Sequence, residues 1–172
     1  MYFKHLIFKQ LKHETMPNER LKKFLDDNHI EYITIRHSLA FNAQRIAATT
    51  HIPGKELAKT VIVKLDGRMA MAVLPASYLI NLGLLKETTG ANKVEVASEM
   101  EFRHLFPECE IGAMPPFGNL YDMEVYVAES LSHDEEIAFN AGSHVELIRM
   151  AYKDFERLVQ PVVLRFSTAR TA

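Results

Sequence analysis

Two apolar runs, residues 60–65 and 68–74, are separated only by Asp66-Gly67. This spacing constrains the chain more than any other feature, because a two-residue connection ending in Gly is what a type I′ turn takes, and that turn matches the twist of paired strands. A β-hairpin is expected here. The second run, Met69-Ala70-Met71-Ala72-Val73-Leu74, is apolar at every position rather than alternating. Such a strand belongs at the centre of a sheet with both faces covered. Lys59 stands at the mouth of the first strand, so the hairpin would anchor its ammonium on firm backbone at the sheet end.

Other signals fill in the frame. Residues 17–28 read as a helix, with Pro17 tolerated in its first turn and Leu21, Phe24 and Leu25 on one face. Residues 31–36 read as a strand and 43–48 as a short helix, which His51-Ile52-Pro53-Gly54 breaks. Ser98 with Glu101 makes a capping box for a helix whose inward side is Phe102 and Leu105, stopped by Pro107. A strand end at Glu110-Ile111 is expected to lead into Gly112-Ala113-Met114-Pro115-Pro116-Phe117-Gly118. Two prolines stiffen that loop, and its glycines leave it open to close backbone approach, which suits holding a small ligand. A strand over 123–128, a hairpin-like pair at 136–139 and 144–150 joined by Asn140-Ala141-Gly142-Ser143, and a helix over 153–159 complete the pattern. Helices and strands alternate without a βαβ rhythm, so the expected class is α+β, a mixed, mainly antiparallel sheet flanked by helices.

Composition excludes several chemistries. At 172 residues one domain is expected, large enough to bury roughly 70% of its unfolded surface. The formal charge of −2 gives no global nucleic-acid footprint, so any such contact must be local, with Arg45, Lys55, Lys59 and Lys64 as candidates and Arg68, Lys86 and Lys93 as outliers. Cys109 is the single cysteine, which rules out an internal disulfide, fits a reducing cytoplasm and lacks a nucleophile signature. The eight histidines form no metal-binding pattern, and no phosphate-binding Gly-x-x-x-x-Gly-Lys element is present. No apolar run approaches the ~20 residues of a membrane span. The opening 1–15 reads as an amphipathic arm, or as sequence upstream of a start at Met16.

Three separated segments carry a resemblance: Glu56-Leu57-Ala58-Lys59-Thr60-Val61-Ile62-Val63, the Gly112 loop, and Phe139-Asn140-Ala141-Gly142-Ser143-His144. In this order they resemble the YbaK/ProX family of aminoacyl-tRNA deacylases, which is related to the editing insertion of bacterial prolyl-tRNA synthetases. The likeness covers roughly residues 18–161. It implies a single editing domain over 17–161, with 1–16 as an extension and 162–172 as a tail. It also implies a trans-editing hydrolase that cleaves the ester of mischarged aminoacyl-tRNA, with a small amino acid such as alanine as the leading substrate. No cofactor or metal is implied. The partners expected are aminoacyl-tRNA and an aminoacyl-tRNA synthetase, not DNA or a membrane.

Read this way, Lys59, Gly112 and His144 are the catalytic candidates, Ala113, Met114, Pro115, Pro116, Asn140 and Ser143 the substrate-binding ones, and Arg45 and Lys55 the tRNA contacts, with Asn42 a weaker hydrogen-bonding candidate. Lys59 is either a solvated strand cap or the group that holds the terminal adenosine's phosphate or ribose. Gly112 is either a plain turn residue or, with Ala113, a backbone cradle for the developing oxyanion. Met114 either lines the pocket or packs beneath it, and with Pro115 and Pro116 would filter substrates by size. His144 is either structural or the group that orients water, contacts the substrate amine or acts as general base. Two rival readings keep the same surface: a non-catalytic module that binds tRNA or a synthetase, and a general hydrolase of small esters.

Overall fold

The computed structural model describes residues 18–39, 45–46 and 50–170. In chain order it contains α1 (Glu19–Asp27), β1 (Tyr32–Arg36), β2 (Leu57–Leu65), β3 (Arg68–Pro75), β4 (Tyr78–Ile80), α2 (Leu82–Thr89), β5 (Val94–Val96) and α3 (Glu99–Phe102). There follow β6 (Glu124–Ala128), α4 (Glu129–Ser132), β7 (Glu136–Asn140), β8 (Glu146–Ala151), α5 (Tyr152–Val159), β9 (Val162–Leu164) and β10 (Ser167–Ala169).

The hairpin organises everything else. β2 and β3 pair antiparallel from Ala58↔Pro75 to Leu65↔Arg68. Asp66 and Gly67 both take positive φ, 49° and 82°, as the type I′ turn requires. The Asp66 carboxylate also accepts the backbone N–H groups of Asn92 and Lys93 at 3.1 and 2.8 Å, which ties the turn to the start of β5. Around this pair runs a sheet of order β1-β8-β7-β2-β3-β6-β9, with β5 also on β2. The β1–β8, β8–β7, β2–β3 and β2–β5 pairings are antiparallel, whereas β2–β7, β3–β6 and β6–β9 are parallel. This is the expected mixed, mainly antiparallel α+β sheet.

β3 is covered on both faces, as its unbroken apolar run requires. Met71 and Val73 join Ile62, Val125, Phe139, Leu21 of α1 and Phe155 of α5 in one cluster. Ala70, Ala72 and Leu74 face the opposite side with Val63, Leu85 and Phe166. A third, smaller cluster of Ile46, Ile52, Leu57, Ala76, Ala138 and Leu147 lies beside the second, because Leu57 shares its strand face with Val63. The Ser98–Glu101 capping box is formed as expected.

Three expectations need correction. Glu110-Ile111 is no strand end but the start of a tight turn, closed by Ala113 N–H donating to Glu110 O at 3.0 Å. His144 lies in the connection before β8, which begins only at Glu146. The C-terminal tail expected over 162–172 is paired into the fold over its described residues: β9 pairs with β6, β10 pairs with β4, and Phe166 between them is fully buried. Within the short helix expected over 43–48, Arg45 and Ile46 are helical, and the rest of it lies outside the described residues, as do 1–16 and Asn42.

Gly118 closes the proline loop where no side chain fits. A Cβ there would stand 2.4 Å from the Met123 carbonyl oxygen and 2.5 Å from Val125 Cγ2. Gly118→Ala should therefore lower stability by about 1–3 kcal/mol through overpacking against backbone. Urea denaturation with an unchanged m-value is the measurement; an unchanged midpoint would refute this account of the loop.

Candidate active site

The Gly112 turn and the connection after β7 are clamped together. Gly112 takes φ +86°, a conformation that side chains disfavour, and a Cβ added there would meet His144 Cε1 at 3.4 Å. Glu110 supplies three of the ties. Its N–H donates to Gly142 O at 2.8 Å, its carbonyl accepts from Ala113, and its carboxylate accepts the His144 backbone N–H at 2.7 Å. Gly142 N–H donates to Ala113 O at 2.9 Å, and His144 Nε2 lies 2.7 Å from Ile111 O, so that nitrogen donates. Gly112, Ala113, Ser143 and His144, far apart in sequence, thus form one seam, with Ser143 and His144 buried.

This geometry revises two roles. Gly112 N–H is directed at Met114 Sδ, 3.2 Å away, and Ala113 N–H is spent on Glu110 O, so the two amides expected to cradle an oxyanion are engaged internally. Met114, Pro115 and Pro116 are buried and form the floor of the loop rather than an open wall. The cause is Phe117, whose fully buried ring packs 5.5 Å from Phe139 and 5.6 Å from Phe155, centroid to centroid, and draws the loop onto the core. His144 Nε2, held by a carbonyl, is not placed to take a proton.

Lys59 sits on the other face of the sheet from this floor. It follows Leu57 on its strand face, while Ala58 and Ile62 point into the cluster that contains Met114 and Phe117. Its half-buried ammonium donates to Tyr78 O at 2.6 Å and reaches Ala76 O at 3.4 Å. Burial lowers its pKa from the usual lysine value, and the nearby Arg170 guanidinium lowers it further. The parallel β2–β7 ladder pairs Leu57 with Ala138 and Ala58 with Phe139, and Asn140, which follows its last pair, alternates onto the face that Ala138 shares with Leu57. Asn140 Oδ1 is buried and has no hydrogen-bond partner among the described residues. The connection from Asn140 to His144 therefore links the lysine side of the sheet to the Gly112 seam.

One feature here escaped the sequence. On the same edge of β2, the ladder with β7 ends at Ala58 and that with β5 starts at Val63. Glu56 O accepts from Ala138 N and Ile62 O from Ala97 N, so the two-residue alternation turns the Thr60 amide and carbonyl into the gap between these neighbours. Only the three-dimensional pairing reveals that gap. Elsewhere, Arg45 and Lys55 are exposed, and Lys64 is neutralised by Glu95 and Glu101 at 2.7 and 2.6 Å. The Cys109 thiol, 3.6 Å from Tyr121 Oη, is pushed by burial up to about 11, as befits an unreactive group. Among the described residues no group of three metal-ligating side chains exists. No described helix is long and apolar enough to cross a membrane.

Comparison with known proteins bears on this arrangement. The family model described as an aminoacyl-tRNA editing domain matches residues 37–158. Over 158 residues the chain is 25% identical to the multifunctional Ser/Thr-tRNA deacylase ProXp-y of Escherichia coli strain K12, a match that takes in 88% of this chain and 93% of that protein. A stretch of 82 residues, 48% of this chain, is 30% identical to the proline–tRNA ligase of Bacillus cytotoxicus, but it spans only 14% of the ligase. A crystal structure described as a candidate trans-editing enzyme for prolyl tRNA synthetase shares the fold, with a TM-score of 0.76 at 18% identity over 89% of this chain and 98% of that one.

If Glu110 holds the seam, Glu110→Ala leaves the His144 N–H without its acceptor and should cost about 1–3 kcal/mol. Glu110→Gln keeps an oxygen acceptor and should lose clearly less. Equal midpoints for the two variants in urea denaturation would show that the carboxylate is not what clamps the turn.

Proposed function

The chain belongs to the aminoacyl-tRNA editing domain family and is an aminoacyl-tRNA deacylase, and from that premise we propose that it works in trans on tRNA carrying a small, wrongly attached amino acid. The bond cleaved joins the amino-acid carbonyl to the ribose of the terminal adenosine. Water supplies the incoming oxygen, and the products are the free amino acid and intact tRNA. The observation that carries this reading is the Lys59 ammonium, held half-buried on the Tyr78 carbonyl with no carboxylate partner among the described residues.

Two of the three Lys59 donor positions are occupied by carbonyls, which leaves one for the substrate. That donor holds the terminal ribose or its phosphate by a charge-assisted hydrogen bond, with the Asn140 amide alongside. An aminoacyl ester is already activated, so orientation and charge stabilisation suffice without a covalent intermediate. The substrate's own ribose hydroxyl can assist the water, which accounts for a site without a serine or cysteine nucleophile. With the Gly112 and Ala113 amides engaged, the Thr60 amide in the β2 edge gap replaces them as the backbone donor to the developing oxyanion. Gly112 and His144 then act by shape: the glycine permits close approach and the histidine fixes the turn.

Alanine is the leading amino acid, and serine and threonine join it because the Escherichia coli relative is named for Ser/Thr-tRNA. Exclusion of bulk is the easier discrimination, since one methylene contributes only about 1–3 kcal/mol.

Two measurements test the reading. Lys59→Ala removes a charge at a strand mouth and no core side chain, so deacylation should fall by about 100-fold or more while circular dichroism stays native; near wild-type turnover would remove Lys59 from the mechanism. With alanyl-, seryl-, threonyl- and phenylalanyl-tRNA at equal concentration, the three small esters should be cleaved faster. Preferential cleavage of the phenylalanyl ester would overturn the size filter, and cleavage of none would favour a binding module.

A further inference from the structure

The matched editing domain ends at residue 158, yet the chain continues into folded structure. Asn81 N–H donates to Phe166 O at 2.7 Å, β10 pairs with β4 from Ser167↔Ile80 to Ala169↔Tyr78, and Arg170 N–H reaches Ser77 O at 3.4 Å. The buried Phe166 ring pins this return to the core beside Leu85. The result is a cleft of about 260 Å³ lined by Tyr78, Glu129, Ser130, His133, Arg165 and Ser167. Tyr78 is shared: its carbonyl holds the Lys59 ammonium.

Cations flank this turn on two sides: Arg165 lines the cleft with Tyr78, and Arg170, whose N–H reaches Ser77 O, lies near Lys59. Lys59, Arg165 and Arg170 have no ion-pair partner among the described residues, and Arg165 and Arg170 are exposed. Glu129 is the one carboxylate among the lining residues, and it too is exposed. Ser130 Oγ, also in the lining, is buried with no hydrogen-bond partner among the described residues. The Arg170 guanidinium lies close enough to Lys59 to disfavour its charge. Guanidinium forks with a hydroxyl donor are the groups that suit phosphate oxygens.

We propose that the segment past the family match builds a phosphate subsite, in which Arg165 and Arg170, with His133 and Ser130, hold a backbone phosphate of the tRNA acceptor strand next to the Lys59 end of β2. This rests on the editing reading, because it is the ester's position beside Lys59 that brings the strand's phosphates to this cleft. The subsite anchors the strand, and Lys59 handles its terminal nucleotide.

The test uses the full chain and uncharged tRNA, with binding followed by fluorescence anisotropy across a salt series and deacylation of alanyl-tRNA measured in parallel. The double variant Arg165→Ala/Arg170→Ala should reduce the slope of log Kd against log salt by roughly 1.5–2, and raise KM about 10-fold with the loss in KM rather than kcat. Arg165→Lys/Arg170→Lys should recover most of the slope. Lys23→Ala, a cation already paired with Asp27 at 2.7 Å, should leave the slope as it is. A wild-type slope and KM in the double alanine variant, in a protein that deacylates alanyl-tRNA, would overturn the subsite. A reduced slope in a protein that cleaves none of the aminoacyl-tRNAs would keep the subsite and overturn the editing reading.

Discussion

The β2–β3 register is the constraint on which the rest of the molecule depends. Side chains alternate along β2, so Ala58 and Ile62 enter one core cluster while Val63 and Leu65 enter the other. A slip of one residue would drive Lys59 into the cluster with Phe117 and Phe139 and turn Ala58 to the lysine's place. Burying an unpaired ammonium among phenylalanines costs far more than one strand pairing returns. The Asp66-Gly67 turn prevents such a slip, because its positive φ angles allow one register only. A two-residue turn thereby decides, at the far end of the hairpin, which face carries the Lys59 ammonium.

The second constraint is the seam between the Gly112 turn and the Asn140–His144 connection. Nearly every polar group there is used internally: Glu110 by Gly142, Ala113 and His144, and His144 Nε2 by Ile111. Such a network rigidifies when fully satisfied. It leaves little for direct chemistry, whereas the Lys59 ammonium, the Asn140 Oδ1 and the Thr60 edge, on or beside β2, are not drawn into that network. Positioning and substrate electrostatics can perform ester hydrolysis under those terms, since water attack on an activated ester demands orientation more than a strong base.

Local chemistry was legible in the chain, and long-range return was not. The Asp66-Gly67 hairpin, the all-apolar β3, the Ser98–Glu101 capping box and the helix that closes with Val159 all follow from patterns within a few residues. What those patterns do not carry is that Met114 Sδ occupies the Gly112 amide or that Phe117 pulls the prolines under the loop. Those depend on aromatic partners at Phe139 and Phe155, distant in sequence. Residues 162–170 read as a tail because β9 and β10 have three residues each, too short for alternation to show. The side chain buried between them is Phe166, and a single buried ring leaves no periodic signature.

The placement of Lys59 shows what the returning segment adds. Burial and Arg170 both act against its charge, and only the carbonyls of Ala76 and Tyr78 favour it. An isolated enzyme thus carries an ammonium that is poorly compensated, a cost of the kind found where a charged ligand completes the site. In the proposed subsite, a phosphate held by Arg165 and Arg170 would offset the repulsion between Arg170 and the Lys59 ammonium, while Lys59 itself holds the terminal nucleotide. On that proposal, the segment that supplies Arg165 and Arg170 contributes to recognition without touching the ester.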